Sequence, residues 1–152
     1  LIGNVFMKKS DDVFIKSKEF LEQNTLKEKY DFLIVDFHGE ITSEKMAIGH
    51  VFDGNATFVV GTHTHVPTND GRVLSKGTAY LTDAGMCGDY NSVIGMNAEN
   101  SINRFYKRDS IKHFPAEGEA SLCGAIIEAN PKNGLATNIS QFIFGGQLQK
   151  DN

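Results

Sequence analysis

The 152-residue sequence contains no tryptophan, three prolines and two cysteines. Cys87 and Cys123 lie far apart and in no C-x-x-C arrangement, which excludes a disulfide-stapled scaffold. They read as core thiols of a protein kept in a reducing cytoplasm. There is no excess of basic residues: 19 Asp and Glu against 15 Lys and Arg leave a formal net charge of −4. Bulk nucleic-acid binding through a basic face is therefore not expected. Long hydrophobic runs are also missing. Stretches such as 32–35 and 58–60 fall far short of the roughly 20 apolar residues of a membrane-spanning helix, so no membrane partner is expected. The opening residues do not show the charged-then-apolar pattern of a signal peptide. No G-x-x-x-x-G-K-[ST] phosphate loop, G-x-G-x-x-G turn or G-x-S-x-G nucleophile elbow occurs.

What is present is an ordinary globular composition, 40% hydrophobic and 22% charged, enough for one compact domain with a core. Ser10-Asp11-Asp12 offers short oxygen side chains to the free N–H groups of a helix start, and an apolar face at Val13, Phe14, Phe20 and Leu21 predicts a helix over 11–28. The apolar run in 31–37 predicts a strand buried on both faces. A helix then starts at Thr42-Ser43-Glu44-Lys45, with Met46, Ala47, His50, Val51 and Phe52 facing inward, and a second buried strand covers 56–60. Strand, helix, strand within about 30 residues is a βαβ unit, which makes the two strands parallel. A hairpin is expected between 72–74 and 78–81, a Gly-rich loop over 83–91, a helix over 97–107, and two antiparallel strands over 120–128 and 135–144.

Three of the five histidines fall at strand ends: His38 after the first, His63 and His65 after the second. In an open α/β sheet ligands bind at the carboxyl ends of parallel strands, so the topology brings these residues to one edge. In extended backbone, residues two apart point the same way, and His63-Thr64-His65 would then aim two imidazoles at one region. Neutral imidazole ligates zinc, iron, manganese or nickel, and Asp36 or Glu40 could orient a ligating ring from behind. The alternative is three ordinary hydrogen-bonded or solvated loop histidines. His50 and His113 read as structural, and Asp83 and Asp89 read as caps of their own loop backbone.

Three segments carry a family resemblance: Val35-Asp36-Phe37-His38-Gly39-Glu40-Ile41-Thr42-Ser43-Glu44-Lys45, Val60-Gly61-Thr62-His63-Thr64-His65-Val66-Pro67-Thr68 and Lys76-Gly77-Thr78-Ala79-Tyr80-Leu81-Thr82-Asp83-Ala84-Gly85-Met86. In this order they resemble the YmdB-like phosphoesterases of the calcineurin-like metallophosphoesterase superfamily, over about residues 1–144. The resemblance implies an α/β sandwich of two mixed sheets flanked by helices. It also implies a phosphodiesterase that hydrolyses phosphodiesters such as 2′,3′-cyclic nucleotides with two divalent metal ions, iron, manganese or zinc. Carried over residue by residue, His38 and His63 would bind one metal and His65 the other.

The family's N-terminal aspartate, its bridging acid–Asn pair and the Asn-His pair that supplies the proton donor have no counterpart in residues 1–152. These residues therefore resemble the C-terminal portion of one metallophosphoesterase domain, with the N-terminal strands missing. The opening at Leu1 rather than Met fits that expectation, and no catalytic proton donor is assigned within the chain. A noncatalytic metal-binding module and a mononuclear zinc hydrolase using the three histidines remain as alternatives. The sequence leaves both a monomer and a homo-oligomer open.

Overall fold

A computed structural model describes residues 1–8, 10–106 and 112–148. Its elements in chain order are α1 (Val13–Gln23), β1 (Ile34–His38), α2 (Thr42–Phe52), β2 (Phe58–Thr62), β3 (Arg72–Val73), β4 (Ala79–Leu81), β5 (Gly88–Asp89), α3 (Ala98–Phe105), β6 (Ala120–Ala129) and β7 (Ala136–Phe144). A mixed sheet has the order β1-β2-β4-β3, in which β1, β2 and β4 run parallel and β3 runs antiparallel to β4. A second, antiparallel sheet has the order β5-β6-β7. The chain is thus an α/β sandwich of two sheets with helices, and the expected βαβ unit and both hairpins are present.

Alternation along the strands builds the layers, because successive side chains point to opposite faces. Val35, Phe37, Val59 and Tyr80 turn toward α1 and α2, where they meet Val13, Ile48 and Phe52. Phe58, Ala79 and Leu81 turn the other way and pack with Val60 against Ala125, Ile127, Ala136 and Ile139 of the second sheet. β2 and β4 are therefore covered on both faces. β1 is not, contrary to the expectation from its apolar run. Val35 and Phe37 are buried while Ile34, Asp36 and His38 are exposed, because the second sheet packs over β2 and β4 and β1 lies at the margin. Beyond β1, Ile2 makes a short parallel bridge to His38.

Several expectations are corrected. The first helix stops at Gln23 instead of running to residue 28. Asp12 caps its start by accepting from the Phe14 and Ile15 N–H groups. Asn24 ends it in extended conformation, its side chain donating to Phe20 O, and a turn at 25–30 follows, closed by Lys27 N–H to Tyr30 O. The inward face of α2 is rotated: Glu44, Lys45, Ile48, Gly49 and Phe52 are buried, and Met46 and His50 are exposed. Two charged residues hold interior positions because each has partners there. The Glu44 carboxylate accepts from the Asn4 and Val5 N–H groups, and Lys45 is paired with Asp83. Cys123 is buried, but Cys87 is exposed rather than a core thiol. The expected helix over 97–107 is Ala98–Phe105, and its residue 107 lies outside the described residues. No helix among the described residues is long and apolar enough to cross a membrane.

Candidate metal centre

The parallel register carries the pairing of β1 and β2 to Phe37↔Gly61 and His38↔Thr62. His38 is therefore the last residue of β1 and His63 the first beyond β2, side by side at one edge of the sheet. Their rings meet edge to face with centroids 4.7 Å apart, and His63 Nδ1 lies 3.0 Å from His38 Nε2. His65 is not in this pair; its Nδ1 lies 2.8 Å from Ile94 O. The sequence expectation of one edge is met for His38 and His63, but the extended geometry assumed for His63-Thr64-His65 is not. His63 has φ +105° and His65 φ +65°, the left-handed region that costs a non-glycine residue roughly 1–3 kcal/mol and persists only where surroundings enforce it.

The hydrogen-bond partners fix which ring nitrogen carries the proton. Thr62 Oγ1 donates its single proton to Asp36 Oδ1 at 2.9 Å. It must therefore accept from His38 Nδ1–H, 3.1 Å away, which leaves the His38 lone pair on Nε2. A backbone carbonyl only accepts, so His65 donates from Nδ1 to Ile94 O and its lone pair is on Nε2. His63 Nε2 lies 3.0 Å from the Glu40 carboxylate, which again accepts, and this puts the His63 lone pair on Nδ1. Neutral His38 and His63 thus aim two lone pairs at each other, an arrangement that calls for a cation between them, either a proton or a metal ion. Two nitrogens each about 2.1 Å from one ion would stand about 3.0 Å apart at the right angles of an octahedral site and about 3.4 Å apart at the tetrahedral angle usual for zinc. The donor set fits a divalent metal in chemistry and spacing. It is not a finished cage: among the described residues no three His, Cys, Asp or Glu side chains converge on one point.

Asp36 and Glu40, singled out by sequence for orienting the histidines, do so here, Asp36 through Thr62 and Glu40 directly. The parts that sequence reasoning missed are the backbone contacts beneath them. Lys45 and Asp83 form an ion pair of 2.6 Å with both side chains out of solvent. Lys45 Nζ also donates to Thr62 O at 2.7 Å, and Asp83 accepts from the N–H groups of Thr64 and Gly85. The Tyr90 hydroxyl lies 3.2 Å from His65 O and accepts from Met86 N–H. Burial and the adjoining Cys123 thiol hold this phenol well above its ordinary value, so it stays neutral. Asp83 and Asp89 are backbone caps as read from sequence, Asp89 accepting from Asn91 and Gly118 N–H. An apolar alternation pattern gives no sign of a buried lysine, which is why the Lys45 pair was not foreseen.

Burial pushes the Asp83 carboxyl upward, but the Lys45 ammonium and the Gly85 and Thr64 N–H groups outweigh it and hold the group below its ordinary 3.8. A depressed folded value contributes stability that is present above the unfolded value and lost as pH falls through the folded one. The urea midpoint is therefore expected to decline as pH drops below about 4. Asp83→Asn should flatten that acid limb, and an unchanged limb would contradict the assignment.

A family model described as YmdB-like protein matches residues 1–142. The chain belongs to the YmdB-like family. This YmdB-like chain is 42% identical over 144 residues to a 2′,3′-cyclic-nucleotide 2′-phosphodiesterase of Bacillus subtilis (strain 168), a match that covers 95% of the chain and 54% of that protein. Among solved structures it is similar to a hypothetical protein from Thermus thermophilus, with TM-score 0.87 and 38% identity, covering 97% of this chain and 56% of the other. It is also similar to a protein described as a novel phosphatase from Mycoplasma pneumoniae, with TM-score 0.86 and 36% identity, covering 95% and 51%. The YmdB-like chain thus spans about half the length of the relatives it matches.

Proposed function

We propose that the chain is the C-terminal portion of a single YmdB-like metallophosphoesterase domain, and that the whole protein is a metal-dependent phosphodiesterase acting on 2′,3′-cyclic nucleotides or similar small phosphodiesters. The observation that carries the reading is the facing lone pairs of His38 Nε2 and His63 Nδ1 at 3.0 Å. The substrate class rests on the activity for which the Bacillus subtilis relative is named. The portion reading is supported by the half-length match and by a donor set that is partial among the described residues.

In this reading His38 and His63 hold one ion and His65 Nε2 a second, with iron, manganese or zinc suited to imidazole donors. Divalent ions bound there supply Lewis-acid activation of a phosphoryl oxygen and of water. The chain's own residues do the positioning. Thr62, backed by Asp36, keeps His38 in the tautomer with a free Nε2. Glu40 holds the His63 ring by Nε2, and Ile94 O holds His65 by Nδ1. Such partners behind a ligand raise its basicity and fix its direction.

The test is hydrolysis of 2′,3′-cyclic AMP by the full-length protein with Mn²⁺. Chelation should abolish turnover, and His65→Ala should lower it by roughly 100-fold or more, beyond the range usual for losing a partner behind a ligand, because it removes a ligand itself. Undiminished activity of either the chelated protein or the variant would overturn the proposal.

A further inference from the structure

We infer that the buried Lys45–Asp83 ion pair is a positioning device for His63, setting the direction of its imidazole toward the cation site without touching substrate. This inference rests on the metal site proposed above. Both side chains are withdrawn from water, at 1% and 0% exposure. A buried ion pair commonly gains little or nothing over apolar residues of the same size, so stability alone is a weak account of it. Its distinctive feature is where its remaining hydrogen bonds go.

Lys45 Nζ donates to Thr62 O, the carbonyl of the peptide that enters His63. Asp83 Oδ2 accepts from Thr64 N–H, the amide of the peptide that leaves His63. The two peptide planes on either side of the His63 Cα are therefore held by the two halves of one ion pair. The relative orientation of those planes is what φ and ψ of His63 describe. Fixing both planes enforces φ +105°, a conformation the residue would not keep unaided. With the Cα geometry fixed, the Cβ direction is fixed, and the ring is delivered to within 3.0 Å of His38. Asp83 Oδ1 also accepts from Gly85 N–H, which ties the same clamp to the Gly-rich loop after β4. No apolar pair can supply these bonds, because carbonyl and amide both need polar partners.

The experiment compares full-length wild type with the Lys45→Met/Asp83→Leu double variant, in which neither side chain can bond the Thr62 carbonyl or the Thr64 amide. The double change is chosen because Lys45→Met alone strands a buried carboxylate and risks unfolding. Three quantities are read: Mn²⁺ affinity by calorimetric titration, hydrogen exchange of the Thr64 amide, and the urea midpoint. The expected result is a Kd for Mn²⁺ raised about 10- to 100-fold, the usual cost of losing support behind a ligand, together with lost protection at Thr64. A merely structural pair would shift the urea midpoint and leave the affinity of the folded protein unchanged, and that outcome overturns the inference.

If the double variant does not fold, metal-free wild type decides. Thr64 N–H must then exchange as slowly as the amides of β2, and fast exchange refutes the clamp. Wild type that takes up no Mn²⁺ at all refutes the proposed function instead, while Thr64 exchange still judges the clamp.

Discussion

Gly61→Ala is expected to destabilise the protein by about 3 kcal/mol or more, at or beyond the upper end of ordinary overpacking penalties. Gly61 lies in β2 where the strand is hydrogen-bonded to β1 on one side and approaches the end of β4 on the other. A Cβ there would collide with the Thr82 carbonyl oxygen and stand 2.7 Å from its carbon, with the Lys45 side chain at 3.1 Å. The first two atoms are backbone, so nothing can rotate away. Relief requires β2 and β4 to separate, which breaks the Ala84 N–H to Gly61 O bond of 3.0 Å and disturbs the path to His63. Gly71→Ala serves as the control. The three atoms nearest its Cβ all belong to the Gln141 side chain, which can turn aside at the cost of its bonds to Gly71 N–H and Thr68 O. Urea midpoints of both variants check the contrast, and equal midpoints would contradict it.

His63→Gly is expected to dissociate function from stability. In the full-length protein, removing the ring takes away Nδ1 and leaves Glu40 without its partner, so Mn²⁺ affinity and hydrolysis should each fall by roughly 100-fold or more. The fold should not suffer. The His63 side chain is one-third exposed, and its φ of +105° is a conformation glycine adopts without penalty. Stability should therefore hold or rise by up to about 1 kcal/mol, allowing for the added freedom of glycine in the unfolded chain. Stability given up to hold a strained site is a known trade-off. His63→Ala separates the two contributions, because alanine loses the ligand but keeps the strain. A glycine variant less stable than the alanine variant would contradict the assignment of strain to this backbone.

The sequence made the βαβ unit legible because short apolar runs bounded by turn residues have few other uses. Parallel pairing then follows from the intervening helix. That pairing was enough to bring His38 and His63 to one edge. The burial of individual faces was less legible. Ile34 has the same character as Val35, and only the position of β1 at the sheet margin leaves one exposed and the other buried. The inward face of α2 was missed because Glu44 and Lys45 are charged, and the partners that admit them, the Asn4 and Val5 amides and Asp83, lie about 40 residues away in the chain. The H-x-H spacing suggested converging side chains only while the backbone was taken as extended. Positive φ at both histidines turns His65 to Ile94 instead, and no local pattern announces that turn.

Anomalous scattering from crystals of the full-length protein grown with Mn²⁺ tests the central claim most directly. The predicted result is a manganese peak between His38 Nε2 and His63 Nδ1 at ordinary bonding distance from each, with a second peak at His65 Nε2. A protein that hydrolyses 2′,3′-cyclic AMP yet shows no peak at His38 and His63, with the two nitrogens still 3.0 Å apart, would contradict it.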